Sequence, residues 1–371
     1  MAGLKSIEIG FRRFLLRVLG LLIKRDRPLP HDLDFGTKKY LFVRQDRIGD
    51  VLVSTPLIHA LKQQYPSAVV DFLLSSNNHF VLENEPLVRK RWVYRKNLSS
   101  GIEVLRAIRR ERYDFVIDLM DNPSATSTVF CLMAGGQWNV GLSKANAYAY
   151  DIVVPLLSRK DTHIVDRLAE LLTVFEIPPR STELKIWYRV KEESHSAALQ
   201  FLSDQSLKPK EVLGLNISPG RGTRFWGVEN YQKLLRWLCD TYPALPILVL
   251  SQPADREVAE SIVRPFAQVC LSGVTETFDQ FAALVEQLRI LITPDTSAVH
   301  LAAAFSIPAV VLYVQSDKSL RIWEPYGSVS ETLVTDVDDL KTISADEVIR
   351  AVSKLLGPNA ASEAVPRELR P

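Results

Sequence analysis

Short apolar runs alternate with amphipathic segments from about Lys39 to Gly357, and this alternation limits the possible folds more than any other feature. "YLFVR" reads as a strand and Asp50 to Gln64 as the helix after it. "AVVDFLL" is the next strand; a helix is expected before "RWVYR", and "GIEVLRAIRRERY" is a helix leading into the strand "DFVIDL". Helices are expected over Ser124–Met133 and Val165–Phe175. "EIPPRSTELKIW", with two prolines and polar residues, then breaks the pattern and marks a domain boundary. Beyond it come the strands "VLGLNIS", "PILVLS", "VCL", "RILIT" and "AVVLY", separated by helices at Val228–Thr241, Ala254–Val263, around Phe278–Leu288 and at Ser297–Phe305. A closing helix, "SADEVIRAVSKLLG", ends at a C-cap glycine, Gly357. Repeated strand–helix–strand units imply mostly parallel sheets with helices on both faces. The expected class is therefore α/β, as two Rossmann-like doubly wound domains facing a cleft, with ligands at the carboxyl ends of strands.

The length of 371 residues leaves room for two cores. The expected division is an amino-terminal extension at 1–37, domains at 38–182 and 183–341, a closing helix at 342–357 and a disordered tail at 358–371. With 45 basic against 43 acidic residues the net charge is +2, which argues against a nucleic-acid binder. Three separated cysteines indicate neither a disulfide framework nor a zinc site, and fit a reducing cytoplasm. The stretch "LKSIEIGFRRFLLRVLGLLIKRDRP" mixes apolar residues at helical spacing with arginines and lysines. Charges interrupt it too often for a span or a signal peptide, so it is expected to lie on an anionic membrane surface or to pack on protein.

Three loops carry residue types suited to chemistry. In the first, "VRQDRIGDVLV", Asp50 falls in the first turn of a helix, where a carboxylate stays ionised and ready to take a proton. Gly49 and Asp50 serve equally well as elements of the turn, and Arg44 and Arg47 are candidates to hold an anionic group. The second, "NISPGRGTRFWGVENY", offers Gly220 for close backbone approach and Arg224 for two charge-assisted bonds to phosphate. Neither a Walker loop nor a G-x-G-x-x-G fingerprint occurs in the chain. In the third, "RILITPDTSAVHLAAAF", Asp295 or Thr296 caps a small-residue helix whose start, with Ser297 and His300, suits a diphosphate. "DVDD" at Asp336–Asp339 reads as a solvated turn, and no histidine has metal-site spacing.

Taken in order, these motifs resemble glycosyltransferase family 9, the ADP-heptose–lipopolysaccharide heptosyltransferases and their relatives. The resemblance runs from about Lys39 to Gly357 and rests on Arg44–Asp50 with Thr55–Pro56, His163–Arg167, Pro219–Gly220 with Arg224–Trp226, Asp295–Ala304 and Trp323–Gly327. It implies a GT-B fold and an inverting transfer with no obligatory metal or other cofactor, the acceptor held mainly by the first domain and the nucleoside-diphosphate sugar by the second. Asp50 then falls on the family's base, Arg224 on its phosphate-binding lysine, Asp255 near the ribose, and Asp295, Thr296, Ser297 and His300 on the diphosphate loop. The implied acceptor is a lipid-linked saccharide at the cytoplasmic face of the inner membrane. The chain departs from the pattern at Ser297, where the family has glycine, in "LSQPADRE", which lacks glycines, and in "VQSDKS". A nucleotide-sugar epimerase on the same fold, or a non-catalytic nucleotide-binding scaffold, are the alternative functions.

Overall fold

A computed structural model describes residues 25–315, 317 and 323–357. The basic amphipathic stretch before Arg25 and the tail after Gly357 lie outside the described residues, as does most of "QSDKS". The chain divides into two compact units between Leu184 and Lys185.

In the first unit the strands are β1 (Lys39–Val43), β2 (Val69–Ser75), β3 (Lys90–Tyr94), β4 (Phe115–Asp118), β5 (Trp138–Leu142) and β6 (Ile152–Val154). They form one sheet in the order β3-β2-β1-β4-β5-β6, and every pairing is parallel. The helices are α1 (Ile48–Leu52), α2 (Thr55–Gln64), α3 (Leu98–Glu111), α4 (Ala125–Met133) and α5 (Ile164–Ala169). β1 is buried on both faces, as a central parallel strand must be. Leu41 and Val43 meet Ile108 of α3 and Phe130 of α4 in one core cluster. On the other face Tyr40 stacks on Phe115 at 5.3 Å and meets Phe175 edge-on at the same distance.

The segment expected as one helix from Asp50 to Gln64 is two. Pro56 has no amide hydrogen, and its ring would crowd the carbonyl of Leu52, so the helix stops and restarts across Val53–Ser54. Ser54 Oγ donates to the Asp50 carbonyl at 2.7 Å and Thr55 Oγ1 to the Leu52 carbonyl at 2.7 Å, satisfying the interrupted turn. The helix expected before β3 is only a 3-10 turn at His79–Leu82, and the one from Val165 to Phe175 becomes 3-10 after Ala169. Residues 25–37 are not a separate extension. Arg25 binds Asp151 at 2.8 Å, the Trp138 indole donates to the Pro28 carbonyl at 3.2 Å, and Phe35 is buried against Tyr65, Phe115 and Phe175.

The second unit repeats the plan with β7 (Val212–Asn216), β8 (Ile247–Leu250), β9 (Val269–Leu271), β10 (Leu288–Pro294), β11 (Ala309–Val314) and β12 (Ser330–Thr335). Its order, β12-β11-β10-β7-β8-β9, is the first sheet's order with the strands renumbered, and all pairings are again parallel. The helices are α6 (Glu192–Asp204), α7 (Val228–Thr241), α8 (Arg256–Val263), α9 (Phe278–Glu286), α10 (Ser297–Ala304) and α11 (Ala345–Leu356). The closing helix α11 belongs to this unit's core, where Val348 and Val352 join Leu238 and Leu312. Trp226, fully buried, donates its indole N–H to the Ile343 carbonyl at 2.7 Å. No helix among the described residues is long and apolar enough to cross a membrane.

Gly141 on β5 lies under the buried ring of Tyr150, and a Cβ there would fall inside that ring's van der Waals surface. The Tyr150 hydroxyl donates to Asp118 and accepts from Asn146, so the ring cannot swing aside freely. Gly141→Ala should therefore cost about 1–3 kcal/mol in chemical denaturation, the range for overpacking a core. An unchanged midpoint would show that the ring is not held in place.

Candidate active site

In a doubly wound sheet of this order, adjacent loops diverge to opposite faces where the strand order reverses, and the crevice there is the natural ligand position. In the first unit that point lies between β1 and β4, and in the second between β7 and β10.

The β1 side carries Arg44, Asp46, Arg47, Gly49 and Asp50. Arg44 follows β1 directly, and its side chain has no exposed surface. Its Nη2 donates to Asp50 Oδ1 at 2.9 Å, its Nε to the Asp50 carbonyl at 3.1 Å, and its Nη1 to the Leu119 carbonyl beyond β4. Asp46 lies 3.1 Å from Nε as a second carboxylate partner. Arg44, expected to hold an anionic substrate group, is instead enclosed and positions Asp50, because its donors face protein acceptors. Asp50 is the third residue of α1, and its Oδ2 accepts the Arg47 N–H at 3.2 Å. The Asp50 carboxylate retains 12 % exposure, so one edge stays open to a ligand. Arg47 is exposed, and Gly49 sits inside α1 with its carbonyl taking the Val53 N–H at 3.0 Å.

Behind this pair, on β4 and after it, lies a charged layer that the sequence reading missed. Asp118, fully buried, is 3.1 Å from Lys144 Nζ and accepts the Tyr150 hydroxyl. Burial alone would raise the Asp118 pKa, but Lys144 and the Tyr150 hydroxyl outweigh it and hold the carboxyl below its ordinary value. Asp121 pairs with the buried Arg167 at 3.1 Å. Arg44 would lose its proton more easily on burial; Asp46, Asp50, Asp121 and Asp118 reverse this and raise its pKa. "DFVIDL" does carry a signal for the layer, an acid at the end of a buried strand, but "SKANAY" has no pattern that announces Lys144 or Asn146.

In the second unit, the loop after β7 and the start of α10 after β10 meet. Arg224 Nη1 lies 2.7 Å from Asp295 Oδ2, with 44 % of the arginine side chain and 29 % of the aspartate exposed. Asn216 at the end of β7 donates to Thr293 Oγ1 at 2.9 Å and accepts the Ser218 N–H at 3.2 Å, fixing the two loops to each other. Thr296 is the N-cap of α10, its Oγ1 taking the Ala298 N–H at 3.3 Å, and Ser297 beside it is half-buried. His300 is 5 % exposed, with its ring 6.2 Å from that of Trp323.

Two positions have different surroundings from those expected. Gly220 is buried, and a Cβ there would come within 3.0 Å of Asp255, so this glycine admits a side chain of its own unit. Asp255 is 2 % exposed and accepts Gln252 Nε2 at 2.6 Å, so it turns into the fold where a ribose contact was expected. Asp339 caps the turn at Leu340–Thr342 and accepts the Lys341 N–H at 3.1 Å.

Two Rossmann-like units, each with polar loops gathered where its strand order reverses, define the GT-B class. The description "Glycosyltransferase family 9 (heptosyltransferase)" matches residues 102–348, and the chain belongs to that family. Lipopolysaccharide heptosyltransferase 3 of Escherichia coli K12 is 24% identical over 347 residues, covering 85% of this chain and 97% of the relative. The crystal structure of a family 9 glycosyl transferase from Veillonella parvula superposes with a TM-score of 0.75 at 20% identity, covering 87% of this chain and 98% of that one. The E. coli heptosyltransferase WaaC with ADP gives a TM-score of 0.69 at 18% identity over 85% of this chain and 99% of the other.

Asp46 supplies a pH test of the Arg44 layer. Burial, only partly offset by Arg44 and reinforced by the nearby Asp50 charge, pushes its pKa from 3.8 up to about 7. The native state thus binds this proton more tightly than the unfolded chain, and the associated stability is full below about pH 4 and lost as pH rises through about 7. Asp46→Asn removes that loss. Its melting temperature relative to wild type should rise between about pH 5 and pH 8. A difference that stays constant with pH would place the titration elsewhere.

Proposed function

We propose that this chain transfers a heptose from ADP-heptose to a hydroxyl of a lipid-linked lipopolysaccharide-core acceptor, with inversion at the anomeric carbon. The observation that carries the reading is the Asp50 carboxylate, held on one oxygen by Arg44 and on the other by a backbone N–H, with an edge left open. Family membership supports the reaction class, and the ADP in the WaaC structure supports the nucleotide.

In this mechanism the acceptor oxygen bonds to the anomeric carbon while the bond to the diphosphate oxygen breaks, and the hydroxyl proton passes to Asp50. Positioned general bases contribute on the order of a hundredfold or more. Negative charge grows on the departing diphosphate, and Arg224 with the start of α10 at Thr296–Ser297 stabilises it. Asp295 orients the Arg224 fork until the diphosphate arrives. No resident metal or other cofactor is required of these residues. The acceptor places the reaction at the cytoplasmic face of the inner membrane.

Asp50→Asn preserves the shape of the side chain but removes the base. Heptose transfer should fall on the order of a hundredfold or more while ADP binding is retained. Transfer at the wild-type rate would remove Asp50 from the mechanism. Consumption of the donor without any acceptor would favour an epimerase.

A further inference from the structure

The structure assigns a second surface to the first unit, and we infer that the outer side of α3, with the loop before it, docks on an anionic lipid bilayer. From Arg89 to Tyr113 the chain carries nine basic and two acidic residues, a surplus of seven positive charges in a protein whose net charge is +2. Arg89 and Lys90 face Asp71 and Glu111 within the unit. Arg95, Lys96, Arg106 and Arg110 are exposed.

Apolar side chains stand among these cations. Leu98 is 81 % exposed and Ile102, one turn on, is 41 % exposed. At the same spacing of four, the row continues into Arg106 and Arg110. Met133, 49 % exposed at the end of α4, lies alongside, because Arg109 Nη1 donates to its carbonyl at 3.2 Å. The helix is anchored by Ile108, buried in the core, with Val104 and Leu105 packing partly against it, and Leu98 and Ile102 are not members of that cluster. A single exposed leucine needs no explanation. Apolar side chains one turn apart, bordered by cations, match the pattern of a helix lying in a lipid headgroup layer.

The same features disfavour nucleic acid as the occupant. Stacking on bases needs exposed rings, whereas Trp92 and Tyr94 pack against the core, the first donating to the Tyr113 hydroxyl at 2.7 Å. The position also suits the chemistry. β3 lies two strands from β1, roughly 10 Å at ordinary strand spacing, and Lys96–Leu98, like Arg44–Asp50, follows the carboxyl end of its strand. A bilayer on this face would bring a membrane-embedded acceptor to the edge of the sheet that carries Asp50. That purpose rests on the lipid-linked acceptor proposed above, whereas the charge and exposure of the surface do not.

The test is sedimentation of the full-length protein with vesicles of phosphatidylcholine alone, or of equal parts phosphatidylcholine and phosphatidylglycerol. Wild type should pellet with the anionic vesicles. Leu98→Ser/Ile102→Ser and Arg95→Glu/Lys96→Glu, checked by thermal melting, should each bind on the order of tenfold or more weakly. In a Cys270→Ser background, a solvatochromic dye on Leu98→Cys should shift to the blue on the anionic vesicles. No pelleting of wild type, binding by both double variants equal to that of wild type, or an unshifted dye on pelleted protein would each overturn the proposal. Loss on charge reversal alone would mean a purely ionic contact in which Leu98 and Ile102 do not enter the headgroup layer, and would overturn it too. Transfer to a deacylated, water-soluble acceptor should be unchanged in Leu98→Ser/Ile102→Ser, so a failure of the catalytic reading would appear separately.

Discussion

A guanidinium with no exposed surface must find its acceptors inside the protein, and at Arg44 that requirement organises the loop at the carboxyl end of β1. Removing one partner of a buried pair generally costs about 3–5 kcal/mol, because the other charge is left stranded. Arg44 joins the loop after β1 to the Leu119 carbonyl after β4 and grips Asp50 through both its carboxylate and its carbonyl. Beside it stand two further ion pairs, in which Asp118 faces Lys144 and Asp121 faces Arg167. Asp50 is therefore held by three hydrogen bonds, the preorganisation that the proposed proton acceptor needs.

The second unit solves a related problem with less burial. Its sheet has the same strand order, so the loops after β7 and β10 emerge side by side, and Asn216 bridges to Thr293 beneath them. Above that bridge the Arg224–Asp295 pair is partly exposed. An exposed pair exchanges partners at little cost, so Arg224 can turn to a diphosphate, whereas Arg44 cannot leave Asp50. Two arginines, each in a loop after a central strand, thus differ in their freedom to change partners, because one is enclosed and the other is not.

Much of the fold is legible in the residues because buried parallel strands are nearly continuous apolar runs, as in "YLFV" and "RILIT". The strands β5, β6 and β12 escape such a reading. β5, "WNVGL", carries an asparagine and a glycine, β6 is three residues long, and β12, "SETLVT", is mostly half-buried and mixes polar with apolar residues. The helix α6, "EESHSAALQFLSD", buries only Ala198 and Leu202, too few to stand out by period. At the site, Asp50 and Arg224 are visible because charged residues beside glycine at strand ends are conspicuous. The burial of Arg44, the inward turn of Asp255 and the Asp118–Lys144 pair depend on contacts between segments far apart in sequence, which no local pattern encodes. Gly220 shows the same limit, since what crowds it is Asp255, thirty-five residues later.

The most direct test of the account is a calorimetric titration of the full-length protein and its Arg224→Ala variant with ADP, UDP and GDP, each with and without magnesium. The account predicts that ADP binds in preference to the other two, equally well without the metal, and on the order of tenfold or more weakly in the variant, as expected for loss of a charge-assisted phosphate contact. Binding of none of the three would contradict it, and would leave the loops after β7 and β10 as a scaffold rather than a donor site.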